Sequence, residues 1–242
     1  MKEVPSIVIG VAKRPKEGIS ESGDTVELVE RPRGGFSVIL VDGQGSGAAA
    51  KRTSHHIVNR AAALIAEGAR DGAVVRAVHD ALYALRDGRV SATLTLLSVD
   101  VEAETLLVSQ GGSVPVVLKV TDEDTMHVLE GTERPLGVHV RVRPKVTHLP
   151  LRRNQVVVAC TDGVMQAGKR LGQPPFGPQG IADCLRQLNS GFEAQKLAET
   201  ILEKAVAADM GRARDDMTVV VLGICTTASQ GVVRKLYFEC PF

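Results

Sequence analysis

The feature that most constrains this chain is an abrupt change of pattern across residues 36–67. Phe36-Ser37-Val38-Ile39-Leu40-Val41 has the length and β-former content of a buried strand, and residues 48–67 form an Ala-rich stretch of helical character. Between them lies Asp42-Gly43-Gln44-Gly45-Ser46-Gly47. A strand that delivers a carboxylate to its end, followed by three alternating glycines, lets a ligand approach the backbone closely while Asp42 grips a cation or a phosphate-bound metal. Taken alone, such a turn also serves as a plain strand-to-helix connection or as part of a nucleotide pocket. The rest of the chain has to decide.

Strand patterns precede this unit at 7–11 and 26–29, and a helix with apolar Val74, Val78, Ala81, Leu82 and Leu85 at helical spacing follows it over 74–86. Asp71-Gly72 reads as punctuation between the two helices. A β-rich middle comes next, at 92–99, 105–109, 114–120, 126–129, 140–148 and 156–160, then helices near 180–188 and 194–208 and a strand at 218–224. Consecutive strands without crossovers imply antiparallel pairing. The order fits an α+β fold, a four-layer α/β/β/α sandwich of two mainly antiparallel sheets flanked by helix pairs. At 242 residues one domain is expected over 1–242, with the motifs inside about 22–223 and a tail at 226–242 that adds a short strand over 232–238 or covers an edge.

Composition removes several classes of function. A net charge of +1, with 3% aromatic residues and no Trp, gives neither a phosphate-tracking surface nor a base-stacking platform, so no nucleic-acid partner is expected. No run of 18 apolar residues could cross a bilayer, and the start, with Lys2 and Glu3 ahead of a short apolar patch, does not read as a signal peptide. The expected location is cytoplasmic. Cys160, Cys184, Cys225 and Cys240 are far apart and read as small buried apolar residues in a reducing compartment.

Two further strand boundaries carry acid. Val157-Val158-Ala159-Cys160-Thr161-Asp162-Gly163 is again a buried strand ending in Asp-Gly, and Arg214-Asp215-Asp216-Met217-Thr218 opens the last strand. If these strands are neighbours, Asp42, Asp162 and Asp215 meet, and Asp24, in the turn sequence Ser22-Gly23-Asp24, joins them from the preceding hairpin. Two carboxylates about 4 Å apart repel by roughly 4 kcal/mol at an effective dielectric near 20, so such a cluster calls for cations. Hard Mg²⁺ or Mn²⁺ ions take oxygen ligands of this kind.

In this order, Asp42-Gly43-Gln44-Gly45-Ser46-Gly47, Thr161-Asp162-Gly163-Val164 and Arg214-Asp215-Asp216-Met217-Thr218 resemble the motifs of the metal-dependent PPM/PP2C serine/threonine phosphatases, in their bacterial SpoIIE-like branch. Ser91-Ala92-Thr93-Leu94, Gly111-Gly112 with Pro115, Pro135-Leu136-Gly137-Val138 and Phe176-Gly177 agree with it. The resemblance implies two Mn²⁺ or Mg²⁺ ions, with Asp42 bridging them, the Gly43 carbonyl on one, Asp162 and Asp215 on the other, and Asp24 completing the site directly or through water. Asp42, Asp162 and Asp215 would then act through a metal-held water that attacks phosphorus in line, with Asp216 and Gln44 orienting neighbouring groups.

The resemblance also implies a phosphoserine or phosphothreonine protein as substrate, such as an anti-anti-sigma factor. In the family, the two helices after the Gly-rich turn can order the metal site, so partner binding near 48–86 is expected to tune metal affinity. With 23 residues ahead of Asp24, the chain reads as a stand-alone catalytic unit. Two departures stand out: Gln44 occupies the place where many eukaryotic relatives carry a His, and no Arg shortly precedes Asp24, which leaves Arg14 or Lys16 as the phosphate-binding alternatives. His55 and His56 are not assigned a catalytic role. The competing readings are a nucleotide-binding module, disfavoured because no Asn lies upstream of Asp42, and a catalytically weak or dead phosphatase fold acting as a regulatory binding module.

Overall fold

Alternation along two strands sets the architecture. In strand β3 (Phe36–Gly43), Ile39 and Val41 pack with Ile57, Val58, Val74 and Val78 of two helices, while Val38 and Leu40 join a second cluster with Val157, Val220 and Leu222. In strand β10 (Met217–Ala228), Val219 and Val221 pack with Leu197 and Ile201 of another helix, while Val220 and Leu222 belong to the shared cluster. Each strand therefore buries both faces, which is why both read as continuous apolar runs. The result is three stacked cores, helix on sheet, sheet on sheet and sheet on helix, as the four-layer expectation requires. A fully buried Val, Leu or Ile contributes about 1.5–3 kcal/mol, so the layers hold through many such side chains.

The structure is a computed structural model and describes residues 3–120, 126–188 and 192–228, with 235 and 239. One sheet contains β1 (Glu3–Arg14), β10, β9 (Gln155–Cys160), β6 (Val116–Val120) and β7 (Met126–Leu129), in that spatial order. The other contains β2 (Thr25–Glu30), β3, β4 (Ala92–Asp100), β5 (Thr105–Gly111) and β8 (Lys145–Pro150). The paired strands are antiparallel throughout these sheets. Helices α1 (Gly47–Ala66) and α2 (Asp71–Arg86) cover the second sheet; α4 (Gly177–Arg186) and α5 (Ala194–Ala208) cover the first. A four-residue helix, α3 (Asp162–Met165), follows β9 directly.

Several expectations need adjustment. The middle strands do not form one meander: β4 pairs with β5 and β6 with β7, but β5 goes on to β8 while β6 and β9 pair in the other sheet. The strand expected over 140–148 begins only at Lys145, because 137–140 turn away after the isolated Ala92–Leu136 bridge and Pro144 has no N–H to give a ladder. Asp71 does not punctuate; it is the first residue of α2 and is buried. The strand expected over 232–238 falls almost wholly outside the described residues, as does Cys240. Cys160, Cys184 and Cys225 are free and buried. Among the described residues no helix is long and apolar enough to cross a membrane.

Candidate metal and phosphate centre

The acids arrive from both sheets. Asp42 stands at the end of β3, opposite Thr93 of β4. Asp24 immediately precedes β2, whose first residue Thr25 pairs with Val41. Asp162 and Asp215 come from the other sheet, where β9 ends beside the start of β10, with Cys160 opposite Val219. The strands that carry Asp42 and Asp162 are thus facing rather than adjacent, which corrects the neighbour-strand expectation while keeping its consequence. The Asp42 carboxyl senses the charges of Asp24, Asp162 and Asp215 and shares a hydrogen bond with Asp162.

Burial and mutual repulsion raise the carboxyls of this cluster. Burial, followed by the charges of Asp24 and Asp162, pushes Asp42 up to about 10 from the usual carboxylate range. Burial also raises Asp24 to about 6, against the opposing pull of its hydrogen bond from Thr218. Asp215 is raised as well, chiefly by burial.

Asp24 is fully buried and half satisfied. Its Oδ2 accepts from Thr218 Oγ1 at 2.6 Å and Thr161 Oγ1 at 3.0 Å, while its Oδ1 has no hydrogen-bond partner. An orphaned buried carboxylate oxygen is costly. Its backbone carbonyl accepts from two ammonium groups, Lys13 Nζ at 2.6 Å and Lys51 Nζ at 2.7 Å, and burial together with the Lys51 charge lowers Lys13 to about 8. Lys51 also donates to Thr25 Oγ1 at 3.1 Å, which ties α1 to the start of β2.

The residues expected to orient the site have clear partners. Asp216 is buried and accepts backbone N–H groups on both oxygens, Lys16 N at 2.9 Å and Gly23 N at 2.8 Å, so it clamps the segment that leads to Asp24. Gln44 turns back: its Oε1 accepts from Ser91 N at 2.8 Å and its own N–H reaches Ser91 O at 3.1 Å, stapling the Gly-rich turn to the entry of β4. Gly43 has its back to α1, where a Cβ would stand 2.5 Å from the Ala50 carbonyl oxygen. At Gly163 a Cβ would stand 2.0 Å from the Asp216 carbonyl oxygen, so only glycine lets the Asp162 and Asp215-Asp216 segments approach this closely.

A cleft of about 340 Å³ opens beside the acids, lined by Asp162, Lys169, Arg170, Arg214 and Asp215 among others. Arg170 lies in a short 3₁₀ turn, Lys169–Leu171, and donates to Asp215 Oδ2 and to the Arg214 carbonyl, each at 3.1 Å. Of the two alternatives near the start of the chain, Arg14 reaches Gly211 O at 3.5 Å and Glu17 at 3.8 Å, and Lys16 serves Asp216 through its backbone. His55 and His56 are exposed on α1. Reading the sequence missed Lys13, Lys51, Thr161, Thr218 and Arg170; the two threonines flank the acid motifs and were the nearest to visible.

Among the described residues, no three His, Cys, Asp or Glu side chains form a ready coordination shell. The donor set nevertheless fits a hard divalent ion: the carboxylates are oxygen donors, one buried oxygen of Asp24 has no partner, and the Asp42–Asp162 contact needs either a proton or a cation.

A sandwich of two antiparallel sheets with helices on both outer faces and acids at the facing strand ends is the arrangement of a PP2C-type serine/threonine phosphatase domain. Residues 32–224 match the family model of stage II sporulation protein E, and the chain belongs to the SpoIIE family. The stage II sporulation protein E of Priestia megaterium is 22% identical over 212 residues, which cover 88% of this chain and 35% of that protein, so the chain spans about a third of that relative. The PP2C phosphatase domain with a regulatory fragment of SpoIIE from Bacillus subtilis superposes with a TM-score of 0.80 at 21% identity, covering 94% of this chain and 66% of that one. RsbX in complex with magnesium gives a TM-score of 0.67 at 16% identity, with 92% and 100% covered.

Proposed function

We propose that this chain is a metal-dependent protein phosphatase that hydrolyses phosphoserine or phosphothreonine. The observation that carries the reading is the convergence of Asp42 with Asp24, Asp162 and Asp215 from two facing sheets, with Asp162 and Asp215 lining a cleft that also holds Lys169, Arg170 and Arg214. Asp42, with the Gly43 carbonyl, Asp162, Asp215 and Asp24, would hold two Mg²⁺ or Mn²⁺ ions; the magnesium held by the structural neighbour RsbX supports that choice. When bound, such a pair supplies an acidified water for in-line attack and offsets charge on the phosphoryl oxygens.

The chain's own residues set the stage for this. Thr161 and Thr218 hold one Asp24 oxygen and leave the other aimed at no protein group. Asp216 fixes the approach of residues 16–23, and Gln44, committed to Ser91, holds the Gly-rich turn rather than acting as a proton donor. The family resemblance supports a regulatory phosphoprotein such as an anti-anti-sigma factor as the substrate, met in the cytoplasm.

The test is hydrolysis of p-nitrophenyl phosphate after chelation, with Mn²⁺ or Mg²⁺ added back, for the parent, Asp42→Ala and Asp162→Ala. Metal-restored turnover lost in both variants is the expected result. Metal binding without turnover would move the assignment to a regulatory binding module of phosphatase fold, and absence of metal binding would overturn the centre.

A further inference from the structure

We propose that the cleft beside Asp162 and Asp215 is the substrate-phosphate subsite and that Arg170 is the side chain that grips the phosphate. This rests on the phosphatase reading and fills a gap in it, since no arginine shortly precedes Asp24; of the alternatives, Arg14 turns to Gly211 O and Glu17, and Lys16 is bonded through its backbone to Asp216 while its charge acts on Asp215 from outside the cleft lining. Arg170 stands on the wall of the cleft that opens beside two of the acids. It contacts Asp215 directly, it lines the 340 Å³ cleft with Asp162 and Asp215, and its side chain stays 60% exposed.

Its hydrogen bonding leaves it free to do so. Of the five N–H donors on a guanidinium, one goes to the Arg214 carbonyl and one to Asp215. The carbonyl contact fixes where the planar group stands, and the remaining donors suit paired contacts with phosphate oxygens. The Asp215 contact is an exposed ion pair, weak enough to be rearranged. A cation on Asp215 would compete with the guanidinium for that oxygen, while the Arg214 carbonyl offers the guanidinium a second anchor beside the cleft. Lys169 and Arg214 lie on the same walls and offset part of the charge of Asp162, Asp209 and Asp215 there.

The experiment compares the parent with Arg170→Ala and Arg170→Lys in three readouts: kcat and KM for p-nitrophenyl phosphate, inhibition by inorganic phosphate, and Mg²⁺ affinity by calorimetry. Loss of a charged hydrogen-bonding group should raise KM and the inhibition constant of phosphate by about ten- to a hundredfold in Arg170→Ala. Arg170→Lys should recover part of the loss, because it keeps the charge and not the fork. Mg²⁺ affinity should hold or tighten, since a competing cation has been removed from Asp215. Unchanged KM and phosphate inhibition, or weakened Mg²⁺ binding that accounts for the whole effect, would overturn the assignment and leave Arg170 as a prop for Asp215.

Direct titration of inorganic phosphate into the Mg²⁺-loaded parent separates this proposal from the one beneath it. Phosphate binding that needs Arg170 in a chain without turnover would uphold the subsite while the phosphatase reading fails. Turnover in a chain whose phosphate binding ignores Arg170 would do the reverse.

Discussion

Thr218 donates its hydroxyl to Asp24 Oδ2 at 2.6 Å across 194 positions of sequence, and both residues are fully buried. This bond joins the first residues of β10 in one sheet to the residue that leads into β2 in the other, so the two layers meet at a site residue. Removing the hydroxyl leaves that oxygen with Thr161 alone. Thr218→Val should cost about 1–3 kcal/mol of stability, the penalty for a buried acceptor that loses a partner, and should weaken Mg²⁺ binding. Denaturant midpoints and Mg²⁺ calorimetry read the two effects; a variant as stable as the parent with unchanged metal affinity would show that Thr161 suffices.

The raised carboxylates give the metal-free protein a definite pH dependence. Asp24 at about 6 and Asp42 at about 10 in the folded chain, against an unfolded value of 3.8, mean that the folded state holds more protons between these limits. Their contribution is fully present below pH about 4 and is lost as pH rises through the folded values, so metal-free stability should fall from pH 5 toward 10. Asp42→Asn should flatten this slope and raise the metal-free melting temperature by a few degrees at pH 8, because folding then no longer has to protonate a carboxylate that is ionised in the unfolded chain. Mg²⁺ binding should release protons, read as a dependence of calorimetric heat on buffer ionisation enthalpy. A metal-free melting temperature that rises over this range, or no change in slope in Asp42→Asn, would contradict the electrostatic account.

What the sequence disclosed was local, and what it hid was pairing at a distance. The runs 36–41 and 156–160 declare themselves because both faces are buried, and Asp-Gly after each marks the end of the strand through turn chemistry. Which sheet each strand joins is set by contacts such as Val117 with Val158, for which neither segment carries a signal. The same holds inside the site. Asp42, Asp162 and Asp215 could be picked out by motif, whereas Lys13 and Lys51 meet only on the Asp24 carbonyl.

Asp71 shows the cost of reading a turn from a dipeptide. The residue takes an ion pair from Arg31 on Oδ1 and hydrogen bonds from Ser98 at 2.6 Å and Ser109 at 3.3 Å on Oδ2, while Arg31 also donates to Ser37 at 2.7 Å. This network pins α2 to three strands of its sheet. Breaking one half of a buried pair costs about 3–5 kcal/mol, so Asp71→Ala should lower stability on that scale. An Arg31→Met, Asp71→Leu double variant should recover much of the loss, because no charge is left buried alone. Equal destabilisation of the single and double variants in a denaturant series would show that the serine contacts, not the charge, make the pin.

Gly163 tests how closely the two acidic segments must approach. A methyl there would stand 2.0 Å from the Asp216 carbonyl oxygen, a backbone atom that no rotamer change can move aside. Overpacking typically costs 1–3 kcal/mol where side chains can yield; here the backbone must shift, so Gly163→Ala should cost about 3 kcal/mol or more. The shift would part Asp162 from Asp215, and the variant that remains folded should bind Mg²⁺ more weakly than the parent. Gly172→Ala, whose Cβ would meet nothing within 4 Å, is the matched control: its φ of +73° confines the penalty to backbone strain and leaves the acids in place. Comparable metal affinities in the two variants would mean that the Asp162 and Asp215 segments tolerate separation, and that the close approach at Gly163 serves packing alone.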